Sequence, residues 1–238
     1  MLQPYLEALG LLFVAYLLGS VPFGYIIVKM TRGEDVRKIQ SGRTGGTNTM
    51  RAAGFWAGLI TAVLDITKGA LSVWLARAIF PHNPWMHVLA PVMVIVGHNY
   101  SLLLAERDAT GRLRFHGGAG GAPCVGGSVG LWFPMLFILP PLGALILFGV
   151  GYASVATMSM AFLSTLIFAY RAYLGLAPWP YAVYGLLSLA LIMWALRPNI
   201  RRLMNGTERL VGWRAKHRQP PEGAPPASPQ GDRPDPVS

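Results

Sequence analysis

Charge is scarce in this sequence. Asp, Glu, Lys and Arg make up 13% of its residues, against about 25% in a soluble domain, which excludes an ordinary water-facing surface. With 53% hydrophobic residues, the expected fold class is an all-α integral membrane protein. Acidic residues are the scarcer sign, 10 against 20 Lys and Arg. The basic residues lie at the ends of apolar segments, so nucleic acid is not an expected partner; membrane lipid and an anionic substrate are. One cysteine, Cys124, excludes an intrachain disulfide. The five histidines are scattered without ligand spacing, so neither metal nor cofactor is expected. No serine or cysteine triad, carboxylate dyad or Walker loop is present. The N-terminus has no basic n-region and no small-residue cleavage site, so the first apolar run reads as a retained span.

What the chain does have is long apolar runs. A bilayer crossing takes about 20 apolar residues. Spans are expected at about 4–28, 55–80, 85–104, 154–170 and 179–196, and the stretch 121–152, interrupted by Pro134, Pro140 and Pro141, fits two short helices. That makes seven, the first broken at Pro22, where a helical hydrogen bond is lost. The loop 29–51 carries six Lys and Arg, the loop after the third span three, and 197–218 seven, whereas the other side has Arg77 and Arg171. Positive charge stays inside. The N-terminus is therefore expected outside and the C-terminus in the cytoplasm, with a membrane domain over 1–214 and a disordered basic, Pro-rich tail over 215–238.

The densest polar cluster is Ser41-Gly42-Arg43-Thr44-Gly45-Gly46-Thr47-Asn48, with Arg51 close behind. Glycines let backbone N–H groups converge on a ligand, and hydroxyls, an amide and guanidinium groups surround them. The set suits a phosphate; a flexible linker with stop-transfer arginines is the plainer alternative. A second cluster, His116-Gly117-Gly118-Ala119-Gly120-Gly121, opens a helix and offers free N–H groups to an anion, or else a helix-packing surface. Asp65 and Lys68 share one helix face and are expected as a buried pair, structural or substrate-facing. His98 is a candidate ligand contact or a bonded core residue. Asn199, after Pro198, can aim its amide into a site, and Arg202 follows. A site of hydroxyls, amides and guanidinium groups suits a reactant that brings its own activation, such as an acyl phosphate.

These residues resemble a known family, the bacterial acyl-phosphate-dependent glycerol-3-phosphate acyltransferases of the PlsY type, nearly to residue 214. The matching positions are Gly19-Ser20-Val21-Pro22-Phe23-Gly24, Ser41-Gly42, Gly45, Thr47-Asn48, Arg51, Asp65, Lys68-Gly69, Gly97-His98, Gly117-Gly118, Gly120, Gly151-Tyr152, Asn199-Ile200, Arg202-Leu203 and Glu208. The resemblance implies acyl phosphate and glycerol 3-phosphate as substrates, lysophosphatidic acid as product, and multi-pass residence in the bacterial inner membrane. It further implies a cytoplasmic active site and partners among phospholipid-synthesis enzymes. It implies catalytic roles for Ser41, Arg51 and Asn199. It also points to phosphate or substrate binding by Gly42, Arg43, Gly45, Thr47, Asn48, His98, His116, Gly117, Gly118, Gly120 and Arg202. The chain departs from the family pattern at Arg43 (usually Asn), Ala119 (Lys), Leu196 (His) and Ser101 (Pro), and about nine extra residues lie near 106–114. Arg43, Arg112 or Arg114 can supply the charge missing at Ala119. The competing readings are a paralogue that has lost catalysis or changed its substrate, binding lipid or proteins, and a small transporter using Asp65, Lys68 and the Pro22 break.

Overall fold

The computed structural model describes residues 2–211; the domain limit at 214 and the tail expectation for 215–238 lie outside these residues. Helices α1 (Gln3–Ser20) and α2 (Phe23–Arg32) form one rod broken at Val21 and Pro22, because Pro22 has no N–H to donate. Lys68 Nζ reaches the carbonyls of Gly19 at 2.9 Å and Val21 at 3.2 Å, so the break is satisfied from a neighbouring helix. There follow α3 (Gly46–Ala53), α4 (Phe55–Ile79) and α5 (Pro84–Asn99). Helix α5 is capped by Asn83, whose side chain accepts from the N–H groups of Trp85 and Met86. The bundle is completed by α6 (Gly121–Leu131), α7 (Met135–Val150), α8 (Ala153–Tyr173) and α9 (Pro180–Met204). The two short helices expected over 121–152 are α6 and α7.

The third apolar run differs from expectation. It leaves the helix at Asn99 and continues as strand β1 (Ser101–Arg107), paired antiparallel with β2 (Leu113–His116). The helical class holds for the rest, but the polar insertion is a hairpin rather than an open loop. Its cause is local. Ser101 Oγ donates to the Ser20 carbonyl at 2.5 Å, and Leu102 N–H donates to Ser20 Oγ at 3.4 Å, so the chain is drawn out extended along the end of α1. At the turn, Asp108 Oδ1 accepts from Thr110 N–H and Arg112 N–H, the side-chain-to-backbone pattern that stabilises tight turns.

Close helix contacts are made where side chains are missing. A Cβ on Gly97 of α5 would overlap the Tyr16 carbonyl of α1, and one on Gly126 of α6 would overlap the Ile66 carbonyl of α4. Gly130 faces Val73 in the same way. The 11-residue α6 is therefore about 16 Å long and runs along only the far half of α4. The end of the loop before it, Ala119 and Gly120, and its own first residues, Gly121 and Ala122, line the cavity described below.

Among the described residues, four helical stretches are long and apolar enough to cross a membrane: the α1–α2 rod, α4, α8 and α9. Large apolar side chains on the outside, among them Phe13, Leu145, Phe162 and Trp194, are more than half exposed, as lipid-facing surfaces require.

Candidate active site

The first polar loop is held in shape by one buried amide. Asn48 donates to the carbonyls of Val36 (3.1 Å), Ile39 (3.0 Å) and Arg43 (2.9 Å), and its Oδ1 accepts from Ser41 N–H at 3.3 Å. Every polar atom of that side chain thus serves the loop. The backbone conformation turns sharply at Gly42 (φ +68°), a left-handed geometry that favours glycine. The result leaves Ser41 Oγ without a hydrogen-bond partner among the described residues, on the wall of a cavity of about 510 Å³.

The second glycine loop closes on the first. Thr44 N–H donates to the Gly117 carbonyl at 3.2 Å, and Gly118 N–H to the His98 carbonyl at 2.8 Å. Arg43 then spans the gap. Its guanidinium donates to the Gly118 carbonyl at 3.0 Å, to Asn199 Oδ1 at 3.3 Å and to the Ala195 carbonyl. This places one cation between Ala119 and Leu196, the two positions where the resemblance expects lysine and histidine. Both of those residues line the cavity beside it. Burial pushes the Arg43 guanidinium below its ordinary value, and nearby Arg202 adds to the effect.

Asn199 and Glu208 form the next layer. Asn199 Nδ2 donates to Glu208 Oε1 at 2.9 Å, and Arg202 Nε pairs with Glu208 Oε2 at 3.2 Å. Glu208 is positioned by the chain folding back after α9. Val211 N–H donates to the Gly151 carbonyl, and Leu210 bridges Tyr152. The same fold-back brings Arg209 opposite Arg51 on the cavity wall. Neither of these two guanidinium groups has a hydrogen bond or ion pair among the described residues. Burial, and after it the Arg209 charge, lower the Arg51 proton affinity. Two like charges left facing one space form a site for an anion.

Under this polar head lies a buried cluster. Lys68 Nζ is 2.8 Å from Asp65 Oδ1 and 3.0 Å from His98 Nδ1. Lysine and aspartate are each 1% exposed, so the expected intramembrane pair is present, with His98 as its third member. Among the described residues the Asp65 oxygens have no well-directed hydrogen bond, and the pair is held by charge proximity.

The structure therefore brings Ser41, Arg43, Gly45, Thr47, Asn48, Arg51, His98, Gly120, Asn199 and Arg202 to one cavity. It does not bring Gly42, His116, Gly117 or Gly118 to its wall. His116 Nδ1 faces the Leu104 carbonyl at the base of the hairpin, at 3.3 Å. A Cβ on Gly117 would overlap the His98 carbonyl and one on Gly118 would overlap His98 Nε2, so these glycines seat the loop on α5. Arg114 pairs with Asp108 at 3.0 Å on the hairpin. Neither Arg112 nor Arg114 reaches the cavity, so of the three arginines considered for the missing charge only Arg43 is placed for it.

Sequence reasoning singles out neither Arg209 nor Ser154, and Glu208 enters it only as a matching position without a role. Ser154 sits in the first turn of α8, lines the cavity, and its buried Oγ has no hydrogen-bond partner among the described residues. The adjacent Gly151-Tyr152 pair and the Glu208 match were the available signals. Beyond the head the wall becomes apolar. Leu59, Val63 and Ile66 of α4 face Leu136, Leu139, Ala144 and Leu147 of α7, with Val125 of α6 and Met160 of α8 between. The start of α6, at Gly121 and Ala122, stands where the two parts meet, and its first N–H groups have no helical acceptor. One cavity thus joins a cationic head to an apolar slot.

Known proteins resemble this chain in sequence and fold. The family profile described as "Glycerol-3-phosphate acyltransferase" matches residues 9–206. A glycerol-3-phosphate acyltransferase of Thermus thermophilus is 36% identical over 218 residues, spanning 89% of this chain and 98% of that protein. One from Rubrobacter xylanophilus is 37% identical over 205 residues, 86% of this chain and 96% of the other. The crystal structure of PlsY, an integral membrane glycerol 3-phosphate acyltransferase, in its glycerol 3-phosphate form superposes with a TM-score of 0.73 at 28% identity. That match covers 87% of this chain and 96% of the other.

Proposed function

The chain belongs to the glycerol-3-phosphate acyltransferase family and is a membrane enzyme of that activity, and from this premise we propose that its acyl donor is an acyl phosphate, its acceptor site the 1-hydroxyl of glycerol 3-phosphate, and its product lysophosphatidic acid. The observation that carries the reading is the joined cavity: four arginines at one end (Arg43, Arg51, Arg202 and Arg209), of which Glu208 neutralises one, and an apolar slot at the other. Two phosphorylated substrates bring more negative charge than one cation can offset, and one of them brings a fatty chain.

The chemistry follows from what the wall offers. The acceptor hydroxyl oxygen attacks the acyl carbonyl carbon, the bond from that carbon to the phosphate oxygen breaks, and the leaving phosphate takes the hydroxyl proton. No side chain has to act as base. Ser41 Oγ, free of other bonds, orients the acceptor. Arg51 binds phosphate directly, with Thr47 and Gly45 beside it. Arg43 and the first N–H groups of α6 hold the second anion. Asn48 and Asn199 are positioning residues, the first shaping the Ser41 loop and the second orienting Arg43 and Glu208. Preorganised donors of this kind act without reorganising during the reaction.

The seven-crossing arrangement, with the N-terminus outside and the head in the cytoplasm of an inner membrane, is supported by the excess of Lys and Arg at the head end. A reporter active only in the cytoplasm should respond when fused after Arg218 and stay silent when inserted at Asn83. Purified protein in lipid nanodiscs should convert glycerol 3-phosphate and palmitoyl phosphate into lysophosphatidic acid and equimolar inorganic phosphate. Product from palmitoyl-coenzyme A alone, with none from palmitoyl phosphate, would overturn the donor assignment.

A further inference from the structure

The chain does not end with its last helix but turns back over the head. Gly206, at φ +68°, makes the turn after α9. Thr207 N–H then donates to the Arg202 carbonyl and Val211 N–H to the Gly151 carbonyl, each at 2.8 Å. Glu208 is 5% exposed and Val211 3%, so this strap is pinned on both sides of Arg209, whose own side chain stays exposed on the cavity wall. Arg209 has no acid to neutralise it there. Among the described residues the acidic members of the wall are Asp65 and Glu208. Asp65 is engaged by Lys68 at 2.8 Å. Both Glu208 oxygens are taken, Oε1 by Asn199 and Oε2 by Arg202. Arg51 is left in the same condition across the space. Burial first, and then the Arg209 charge, lower its proton affinity, so the two guanidinium groups act on one volume.

We propose that Arg209 is a further substrate-binding residue: with Arg51 it clamps the phosphate of glycerol 3-phosphate, and the strap 205–211 is the element that delivers it. This rests on the acyl-transfer reading above, in which Arg51 serves the acceptor and Arg43 with the start of α6 serves the donor, and it assigns the remaining cation. Above about pH 6 a phosphate monoester carries close to two negative charges, which one guanidinium leaves half compensated and two match. Arginine suits the task because its planar fork can grip two phosphate oxygens at once. The pinned backbone on either side lowers the entropy lost when the side chain closes on its ligand.

The test is steady-state kinetics in nanodiscs for wild-type protein and Arg209→Gln, varying each substrate while the other is saturating. KM for glycerol 3-phosphate should rise at least about tenfold, the worth of one charge-assisted bond. KM for palmitoyl phosphate should change less than about threefold, and the melting temperature should stay within about 2 °C. Arg209→Lys should recover part of the affinity, with a steeper dependence on salt. If both arginines hold one phosphate, Arg51→Ala combined with Arg209→Gln should lose less than the product of the two single losses. An unchanged acceptor KM would overturn the proposal. So would an equal rise in both KM values, or a fall in melting temperature that tracks the loss, since either would make the strap's role structural. Wild-type protein that uses no acyl phosphate would instead overturn the donor assignment. The acceptor KM can then be measured with whichever acyl donor is used, so the two failures are distinguishable.

Discussion

Lys68→Met should lower the melting temperature of the detergent-solubilised protein by about 10 °C or more. The reason is the residue it abandons. Asp65 and Lys68 are both about 1% exposed, and Lys68 Nζ is the nearest cation to the carboxylate, at 2.8 Å. Removing one partner of a buried ion pair costs about 3–5 kcal/mol, because the other charge stays in low dielectric. The same ammonium also satisfies the Gly19 and Val21 carbonyls where the first rod breaks at Pro22. Asp65→Asn combined with Lys68→Met should therefore recover part of the loss, since the stranded charge is gone but the broken rod remains unserved. A single variant that melts with the wild type would mean the pair holds nothing together, and a double variant no better than the single would assign the whole loss to the carbonyls.

Arg51→Ala should behave in the opposite way, with stability kept and activity lost. Its guanidinium makes no hydrogen bond or ion pair among the described residues, so little internal structure depends on it, yet it faces the cavity beside Arg209. Removing one preorganised donor from a reacting anion costs about a hundredfold to a thousandfold in rate. We expect at least a hundredfold fall in kcat/KM for glycerol 3-phosphate, with a melting temperature within about 2 °C of wild type. Arg51→Lys should recover only part, because an ammonium cannot grip a phosphate with two parallel bonds. Full activity in the alanine variant would remove Arg51 from the site, and coupled loss of stability and activity would make its role structural.

The features legible in the sequence were those whose cause is local. Pro22 breaks the first span because proline has no N–H, and Pro134 stands where α7 begins after α6, whereas Pro140 and Pro141, expected to interrupt the stretch as well, lie inside α7. Asp65 and Lys68 are three residues apart on one helix, so their pairing could be read directly. The hairpin was not legible. Ser101, Leu102, Leu103 and Leu104 continue an apolar run and read as helix, and only Ser20, some eighty residues earlier in sequence, draws them into a strand. The site's wiring was hidden for the same reason. Arg43 meets the Ala195 carbonyl and Asn199 Oδ1 across most of the chain's length, and Glu208 and Arg209 reach the cavity only because residues 210–211 fold back onto 151–152. Gly117 and Gly118 read as a phosphate cradle from composition, whereas the space their missing side chains leave is filled by His98 and its carbonyl.

Whether Arg43 carries the charge that the glycine loop lacks is tested most directly by exchanging the two positions. Arg43→Asn should lower kcat/KM for palmitoyl phosphate by roughly tenfold to a hundredfold, the worth of one charge-assisted bond of about 1.5–3 kcal/mol. Ala119 lines the cavity beside the Gly118 carbonyl that Arg43 holds, so a lysine there can return a cation to the same space. Arg43→Asn with Ala119→Lys should recover at least about a third of that loss on a logarithmic scale. Ala119→Lys in the wild-type background should change kcat/KM by less than about tenfold, because the charge is already present. The contradicting result is equally plain: wild-type protein without acyl-phosphate activity that Ala119→Lys alone switches on would show that the charge was lost rather than moved to Arg43.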